Sequence, residues 1–157
     1  MIIIGVDPGS RITGYGIIEV IDNKPFYLSS GCIQLSGDFA VRLSQLYEAL
    51  LQVVKEYSPT VCAIESVFVH KNPNSALKLG QARGVILLAL NQFVSIPFEY
   101  EPRLVKKTIV GTGSAIKSQV QFMVQKKLNL SGTPKEDAAD ALAVALCHVQ
   151  KCNSICF

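Results

Sequence analysis

Four acidic residues of this sequence occupy positions from which they could bind metal ions together. Asp7 and Glu65 each end a short apolar run of the kind that forms a buried strand. Asp137 and Asp140 are three residues apart, which places them on one face of a helix. Four carboxylates in one pocket would repel each other, but two Mg²⁺ ions would cancel four negative charges. Such a site is suited to hydrolysis of a phosphodiester bond, because paired ions activate the attacking water and stabilise the leaving oxygen.

Each acid also has an ordinary structural interpretation when it is considered alone. Asp7 precedes Pro8-Gly9 and could simply start a turn, and Glu65 could be an isolated charge at a strand end. Asp137 could interact favourably with the dipole of its helix. The combination is more specific than any single position, because acids that end neighbouring strands converge at one edge of an α/β sheet. We therefore expect one acidic pocket rather than four unrelated charges.

The elements that must position these acids follow from the hydrophobic periodicity and the turn residues. Strands are predicted over residues 2–7, 13–20, 26–35, 60–65 and 96–100, and helices over residues 39–57, 75–93, 102–110, 114–128 and 134–149. The last helix has a clear predicted start, with Thr133 as N-cap, Pro134 as the first helical residue and Glu136 as the capping-box partner. The first three strands should form an antiparallel meander. The expected fold class is α/β, with a five-stranded mixed sheet and helices on both faces.

Length and composition indicate a single domain. The chain has 157 residues, of which 49% are hydrophobic and 17% are charged. We assign residues 1–150 to this domain and residues 151–157 to a short C-terminal tail. No apolar run is long enough to cross a bilayer, and the N-terminus does not have the features of a signal peptide. No membrane association and a cytoplasmic location are therefore expected.

The cysteines do not suggest a disulfide framework, because their number is odd and their spacing is irregular. Cys32 and Cys62 lie in strand-like stretches and are expected to be reduced core thiols. A second group of metal-ligand residue types lies near the C-terminus and consists of Cys147, His148, Cys152 and Cys156. Zinc is not favoured there, because no CxxC pair is present and the first members lie on the predicted last helix.

Basic residues are concentrated in the middle of the chain, where only Glu99 and Glu101 oppose them. They are Lys71, Lys78, Arg83, Arg103, Lys106, Lys107 and Lys117. A basic surface around an acidic pocket suits a polyanionic substrate that is processed with metal ions. The net charge of +3 is small, however, and on charge alone the solvated faces of helices are the simpler explanation.

Longer stretches of the sequence resemble RuvC Holliday-junction resolvases, which belong to the ribonuclease-H-like superfamily. The matching stretches are Ile4 to Ser10, Thr13 to Gly16, Ala63 to Phe68, Ser75 to Gly84, Val105-Lys106, Gly111 to Gln119 and Asp137 to Ala143. The resemblance implies a homodimeric endonuclease that resolves four-way DNA junctions by symmetric nicks in opposed strands, in recombination and repair. It also implies the RuvA–RuvB branch-migration complex as partner. The implied cofactor is Mg²⁺, with two ions per active site and with Mn²⁺ as a substitute.

The resemblance also assigns roles to individual residues. The four metal-binding acids of the family match Asp7, Glu65, Asp137 and Asp140. Lys106 and Lys117 match lysines that contact DNA. Phe68 matches an aromatic residue that faces the junction, where it could stack on an unpaired base. Weaker candidates for contacts to the DNA backbone are Lys107, Lys71, Lys78 and Arg83, each of which could also lie on a simple solvated face.

Two further features have alternative interpretations. His70 lies in the same loop as Phe68 and could help to activate water, although an exposed loop histidine is the simpler interpretation. The predicted helix over residues 75–93 is apolar on nearly every side from Val85 to Leu90. This stretch is either a subunit interface or part of the core. A two-fold dimer would suit a two-fold junction, with one site for each nicked strand.

Three other functions are considered. An actin-like ATPase has a similar Gly-Val-Asp-Pro-Gly-Ser start, but it needs a second phosphate loop and a much longer chain. Another ribonuclease-H-like nuclease could act on RNA or on other nucleic acid. A non-catalytic junction-binding protein would not need the four acids, and all four are present.

Overall fold

The strands form one mixed sheet whose spatial order differs from their order along the chain. The computed structural model describes residues 1–67, 72–93 and 97–155. Its strands are β1 (Ile2–Asp7), β2 (Ile12–Ile21), β3 (Lys24–Gln34), β4 (Val61–Glu65) and β5 (Phe98–Tyr100). They lie in the order β3-β2-β1-β4-β5, with β2 antiparallel to both of its neighbours and with β1, β4 and β5 parallel. The predicted meander and mixed sheet are confirmed.

Strand β1 is central and buried on both faces, as its unbroken apolar sequence predicts. Ile3 packs in the core on one side of the sheet, whereas Ile4 and Val6 pack in the core on the other. Strand β4 lies beside β1 in parallel, with Val6 paired to Ile64. The carboxyl ends of β1 and β4 therefore meet at the same edge of the sheet.

Helices cover both faces of this sheet. One face is covered by α1 (Phe39–Tyr57) and α2 (Pro73–Leu90), and the other by α3 (Pro102–Val110), α4 (Lys117–Lys127) and α5 (Glu136–Ile155). Helix α5 is the most deeply placed of them, because every residue from 141 to 149 is buried. None of the helices in the described part of the chain is long and apolar enough to span a membrane.

The start of α5 differs from the prediction. Thr133 precedes the helix, and its hydroxyl donates a hydrogen bond to Oε1 of Gln125 at 3.1 Å. The carbonyl of Lys135 accepts the first helical hydrogen bond. The assignment of Thr133 as N-cap and Pro134 as the first helical residue was therefore wrong, because side chains of α4 bind this loop in another conformation. The helix continues to Ile155 and thus includes the first residues of the predicted tail.

Helix α2 begins slightly earlier than predicted. Asn72 is its N-cap, and the side-chain oxygen accepts hydrogen bonds from two backbone N–H groups of the first turn. Pro73 follows at the first helical position, where its missing N–H group costs nothing. The helix ends at Leu90. The predicted start of the fifth strand at residue 96 lies outside the described residues.

Candidate active site

Two of the predicted acids come to one place from adjacent strand ends. In β1, Ile3 and Gly5 face α5, so the alternation of side chains along a strand directs Asp7 to the same face. In β4, Ala63 packs on that face, and Glu65 follows it by two positions. Because β1 and β4 are parallel neighbours, the two carboxyl groups are close enough to share a hydrogen bond. Strand period and strand order are sufficient to bring these acids together.

The other two acids are carried by α5, whose position depends on glycines in the sheet. Gly14 is paired with Asp7 across β1 and β2. A Cβ atom on Gly14 would lie 1.9 Å from the carbonyl oxygen of Asp137, so only a glycine admits the first turn of α5 this close to the sheet. A Cβ atom on Gly5 would lie 2.1 Å from a carbonyl oxygen of the next turn. These close contacts place Asp137 and Asp140 beside the end of β1.

The four acids interact electrostatically in a partly buried setting. Burial is the main cause that raises the pKa of Asp7 to about 8, and the neighbouring carboxylates add to it. Burial and then the charge of Asp140 raise the pKa of Glu65 to about 7. Burial also raises the pKa of Asp140, although the charge of Lys117 opposes this rise. The pocket therefore holds more negative charge than the surrounding protein stabilises, which favours the binding of a cation.

The donor set is suited to a hard divalent cation. All four side chains are partly exposed carboxylates, whose oxygen atoms Mg²⁺ prefers. In the described part of the chain, no three such side chains are already gathered as a ready-made metal cluster. Asp7 and Glu65 are nonetheless close enough for each to shift the pKa of the other. A divalent cation bound among these carboxylates would offset their mutual repulsion.

Two lysines that were predicted to contact DNA lie beside the acids. Lys117 forms an ion pair with Glu136, and its Nζ is 3.9 Å from Oδ2 of Asp140. The hydrogen bond to Glu136 raises the pKa of Lys117, so this lysine is charged at neutral pH. Lys106 is close enough to Glu65 and Asp140 for its charge to oppose the rise in their pKa values. The structure thus brings both lysines to the acidic pocket, one from α3 and one from α4.

The other predicted DNA contacts are not part of this cluster. Arg83 forms an ion pair with Glu99 on β5. Lys107 is exposed and lines a surface cavity of about 310 Å³ with other residues of α3 and α5. Phe68, His70 and Lys71 lie outside the described residues.

The C-terminal cysteine and histidine residues make contacts other than metal ligation. Nδ1 of His148 is 2.7 Å from the hydroxyl of Tyr100, and its Nε2 is 3.4 Å from Sγ of Cys152. Cys156 lies outside the described residues, and the rest of the described chain contains no cluster of metal-ligand side chains. The free cysteines of the described ranges are Cys32, Cys62, Cys147 and Cys152. His148 therefore joins α5 to β5 in the core.

Two contributors to the site were not predicted from the sequence. Gly14 is one, because its missing side chain admits α5. A glycine inside a strand pattern often marks a close backbone approach, and this signal could have identified it. Glu136 is the other, because it pairs with Lys117. It was interpreted as a capping residue, and no local pattern indicates an ion pair with a different helix.

A sheet of this order, with acids on β1, β4 and the last helix, defines a nuclease of the ribonuclease-H-like class. Solved structures agree with this class. RuvC of Thermus thermophilus in complex with a Holliday junction substrate has a TM-score of 0.89 and 29% identity, over 98% of this chain and 96% of that chain. The Fowlpox virus resolvase in complex with Holliday junction DNA has a TM-score of 0.59 and 17% identity, over 97% of this chain and 99% of that chain, which shows the fold alone.

Sequence comparisons give the family within this class. The family described as crossover junction endodeoxyribonuclease RuvC matches residues 3–148. RuvC of Francisella philomiragia is 53% identical over 99% of this chain and 91% of the relative. RuvC of Pseudoalteromonas atlantica is 56% identical over 94% of this chain and 86% of the relative. The chain belongs to the RuvC family of crossover junction endodeoxyribonucleases, a family of metal-dependent nucleases.

Proposed function

We propose that this chain resolves four-way DNA junctions by nicking two opposed strands at symmetric positions, with one acidic site for each nick. The observation that carries the proposal is the convergence of Asp7, Glu65, Asp137 and Asp140 on one face of the sheet. Junction cleavage is the reaction for which the family is named, and a solved relative holds a Holliday junction. The acidic pocket and its flanking lysines have the chemistry that this reaction needs.

The four acids would hold Mg²⁺, with two ions per site and with Mn²⁺ as a substitute. When bound, these ions supply activation of the attacking water and charge stabilisation for the leaving oxygen. Lys106 and Lys117 neutralise phosphates next to the cleaved bond, because they lie on the rim of the pocket. Lys117 exchanges its present partner Glu136 for a phosphate when DNA enters.

Phe68, Arg83 and Lys107 complete the proposed DNA contacts. Phe68 follows Glu65 closely in the sequence, so an aromatic ring there is available to stack on a base that is unpaired at the crossover. Arg83 and Lys107 are proposed to contact the DNA backbone farther from the acids. Arg83 must first break its ion pair with Glu99, so we expect replacement of Arg83 to weaken DNA binding less than replacement of Lys107.

The proposed assembly is a homodimer that contacts through α2. Leu77 and Leu88 are 66% and 60% exposed on this helix, although Ile86 and Leu90 are buried in the core. Leu88 also lines a shallow surface cavity of about 300 Å³ between α1 and α2. Exposed leucines beside a groove are typical of a subunit contact. Helix α2 would then serve both the core and the interface, which were the two interpretations of its sequence.

Sedimentation of a Leu88→Glu variant tests the dimer. We expect it to be monomeric, whereas Phe122→Glu should stay dimeric, because Phe122 is similarly exposed at 55% but lies on α4. Dimeric Leu88→Glu would place the interface elsewhere. In the cell, the dimer would act in the cytoplasm with the RuvA–RuvB complex. Co-sedimentation of the chain with purified RuvA–RuvB on a synthetic junction tests that partner.

The decisive experiment is cleavage of a labelled four-way junction in Mg²⁺, beside a linear duplex and an RNA–DNA hybrid. Wild type should give paired symmetric nicks in the junction alone. Asp7→Asn should abolish cleavage and keep junction binding, because removal of a negative charge does not weaken attraction to phosphate. Asp22→Asn is the matched control, since Asp22 is exposed at the tip of the β2–β3 hairpin.

The other outcomes separate the remaining functions. Preferred cleavage of the hybrid would indicate a different nuclease of the same fold. Tight junction binding without cleavage would indicate a binding protein. Hydrolysis of ATP in the absence of DNA would revive the ATPase. Loss of junction binding in Asp7→Asn would mean that Asp7 is structural.

A further inference from the structure

Two basic side chains from different helices are gathered on one aromatic ring outside the acidic pocket. Cζ of Arg42 lies 5.4 Å from the ring centroid of Phe39, and Nζ of Lys78 lies 5.8 Å from it. Both positions are within the range of a cation–π interaction. The charged groups are no farther apart than the sum of those two distances. We call Arg42 and Lys78, which both contact this ring, the Phe39 cation pair.

Among the described residues, no acid forms an ion pair with Arg42 or Lys78. The ion pairs among the described residues join Lys117 to Glu136 and Asp140, and Arg83 to Glu99, so neither Arg42 nor Lys78 takes part in one. Asp38 is one turn before Arg42, but it offers only its backbone carbonyl, to the N–H of Arg42. Two like charges held near one ring without a counter-charge favour the binding of an anion.

Arg42 has unused hydrogen-bonding capacity in this arrangement. Its Nη1 donates to the carbonyl oxygen of Ser10 at 3.0 Å. Its Nε is shielded from solvent and has no hydrogen-bond partner in the described part of the chain. Buried donors normally have partners, and a guanidinium presents its N–H groups in a planar fork that matches phosphate. The bond to Ser10 orients the guanidinium, and an anion from solvent would bind its other terminal N–H groups rather than the shielded Nε.

The position of the pair relates it to the acids. Strands β1, β3 and β4 all end at the sheet edge where Asp7 lies, because they are parallel. Helix α1 begins just after β3, and α2 begins in the next connection after β4, so both helices start at that edge. Arg42 is in the first turn of α1, and Ser10 belongs to the loop that directly follows Asp7. The Phe39 cation pair thus lies at the same end of the sheet, on the α1–α2 side.

We propose that Arg42 and Lys78, held together by Phe39, bind backbone phosphates of the DNA arm that extends from the acidic pocket over the starts of α1 and α2. The inference rests on the proposed function and adds a second phosphate site to it. Lys106 and Lys117 serve the α3–α4 side of the pocket, and the Phe39 cation pair serves the opposite side. DNA is the occupant that the position favours, because a strand cut at Asp7 continues past this edge with a charge on every nucleotide.

Salt-dependent junction binding tests this site. Binding is measured in Ca²⁺, which should permit binding without cleavage, for Arg42→Gln, Lys78→Gln and the double variant. Each lost phosphate contact should reduce the slope of log K against log salt by about 0.9, and weaken binding about 8-fold at 0.1 M salt. Phe39→Leu should have a smaller effect in the same direction, since it keeps both charges but loses the ring.

Lys55→Gln is the matched control. Lys55 is an exposed lysine in the last turn of α1, about 20 Å from Arg42 at the rise of an α-helix. The Lys55→Gln substitution removes one positive charge from α1, as Arg42→Gln does, but at the far end of the sheet. We expect its salt slope to equal that of wild type. A thermal unfolding transition in each variant establishes that the variant is folded.

Cleavage under single-turnover conditions at saturating enzyme completes the test. At saturating enzyme this rate reports the chemical step alone, so a reduced rate in the double variant would have to come from a role other than phosphate binding. An unchanged salt slope with a reduced rate would overturn the proposal, since Arg42 would then act by holding the Ser10 loop. An unchanged slope and an unchanged rate would overturn it too. If wild type itself neither binds nor cuts a junction, the proposed function fails rather than this site.

Discussion

Replacement of Gly14 by alanine tests whether the close approach of α5 to the sheet sets the position of the acids. The new Cβ atom would lie 1.9 Å from the carbonyl oxygen of Asp137 and 3.2 Å from the backbone nitrogen of Ala138. Real Cβ atoms essentially never lie within 3.0 Å of such atoms, so the start of α5 must move away by more than 1 Å. Overpacking of this kind lowers the free energy of unfolding by about 1–3 kcal/mol. A domain of ordinary stability remains folded after such a loss.

The larger effect is expected on cleavage. Asp137 belongs to the turn that must move, and Asp140 is on the next turn. A displacement of about 1 Å in a reacting group can lower a rate about 100-fold. Junction binding should change little, because Lys106 and Lys117 come from other helices. We therefore expect Gly14→Ala to bind a junction in Ca²⁺ as wild type does, and to cut it about 100-fold more slowly in Mg²⁺.

Gly132→Ala provides the comparison for this variant. Gly132 lies in the connection that leads into α5, and a Cβ atom there meets no other atom within 4 Å. It should bind and cleave at wild-type levels. The assay is single-turnover cleavage of a labelled junction together with thermal unfolding of both variants. Wild-type cleavage by folded Gly14→Ala would refute the reasoning, and so would a loss of rate that is equal in the two variants.

Three other measurements follow from the same structure. Lys106→Ala should weaken junction binding and reduce its salt slope by about 0.9, and an unchanged slope would remove Lys106 from the contacts. In metal-free protein, Asp7→Asn should raise the melting temperature, because it removes a carboxylate from a crowded pocket; Mg²⁺ should then stabilise wild type but not the variant. Burial lowers the pKa of His148 below its ordinary value of 6.5, so its charged form destabilises the fold. Because the folded pKa is depressed, the stability of wild type relative to His148→Gln should fall as the pH drops below 6.5, and a difference that is independent of pH would contradict this.

The acid pair on the strands was predictable because it depends only on period and order. Asp7 and Glu65 each end an apolar run, and strand alternation then gives both the same face once β1 and β4 are neighbours. The neighbour relation itself was inferred from the expected class of α/β sheet, in which strands from separate segments lie side by side at the centre. Asp137 and Asp140 were predictable as a helical pair, but the distance from that helix to the sheet was not.

The distance between α5 and the sheet depends on contacts that no local sequence pattern predicts. The predicted start of α5 at Pro134 was wrong because Gln125, on a different helix, binds Thr133. The ion pair between Lys117 and Glu136 likewise joins residues from two helices. Local sequence rules evaluate each segment by itself, so interactions between segments that are distant in sequence lie beyond them.

The acids and the core of this protein are physically coupled through α5. Half-buried carboxylates that raise one another's pKa destabilise the fold when no cation is bound. The same helix that carries two of them is buried at every residue from 141 to 149, and this burial holds its first turn against Gly14. Stability from the apolar part of α5 thus offsets the cost of the charged part. A change that loosens the helix anywhere along this contact is therefore expected to reduce cleavage before it unfolds the domain, because cleavage depends on the position of the first turn and folding depends on the whole helix.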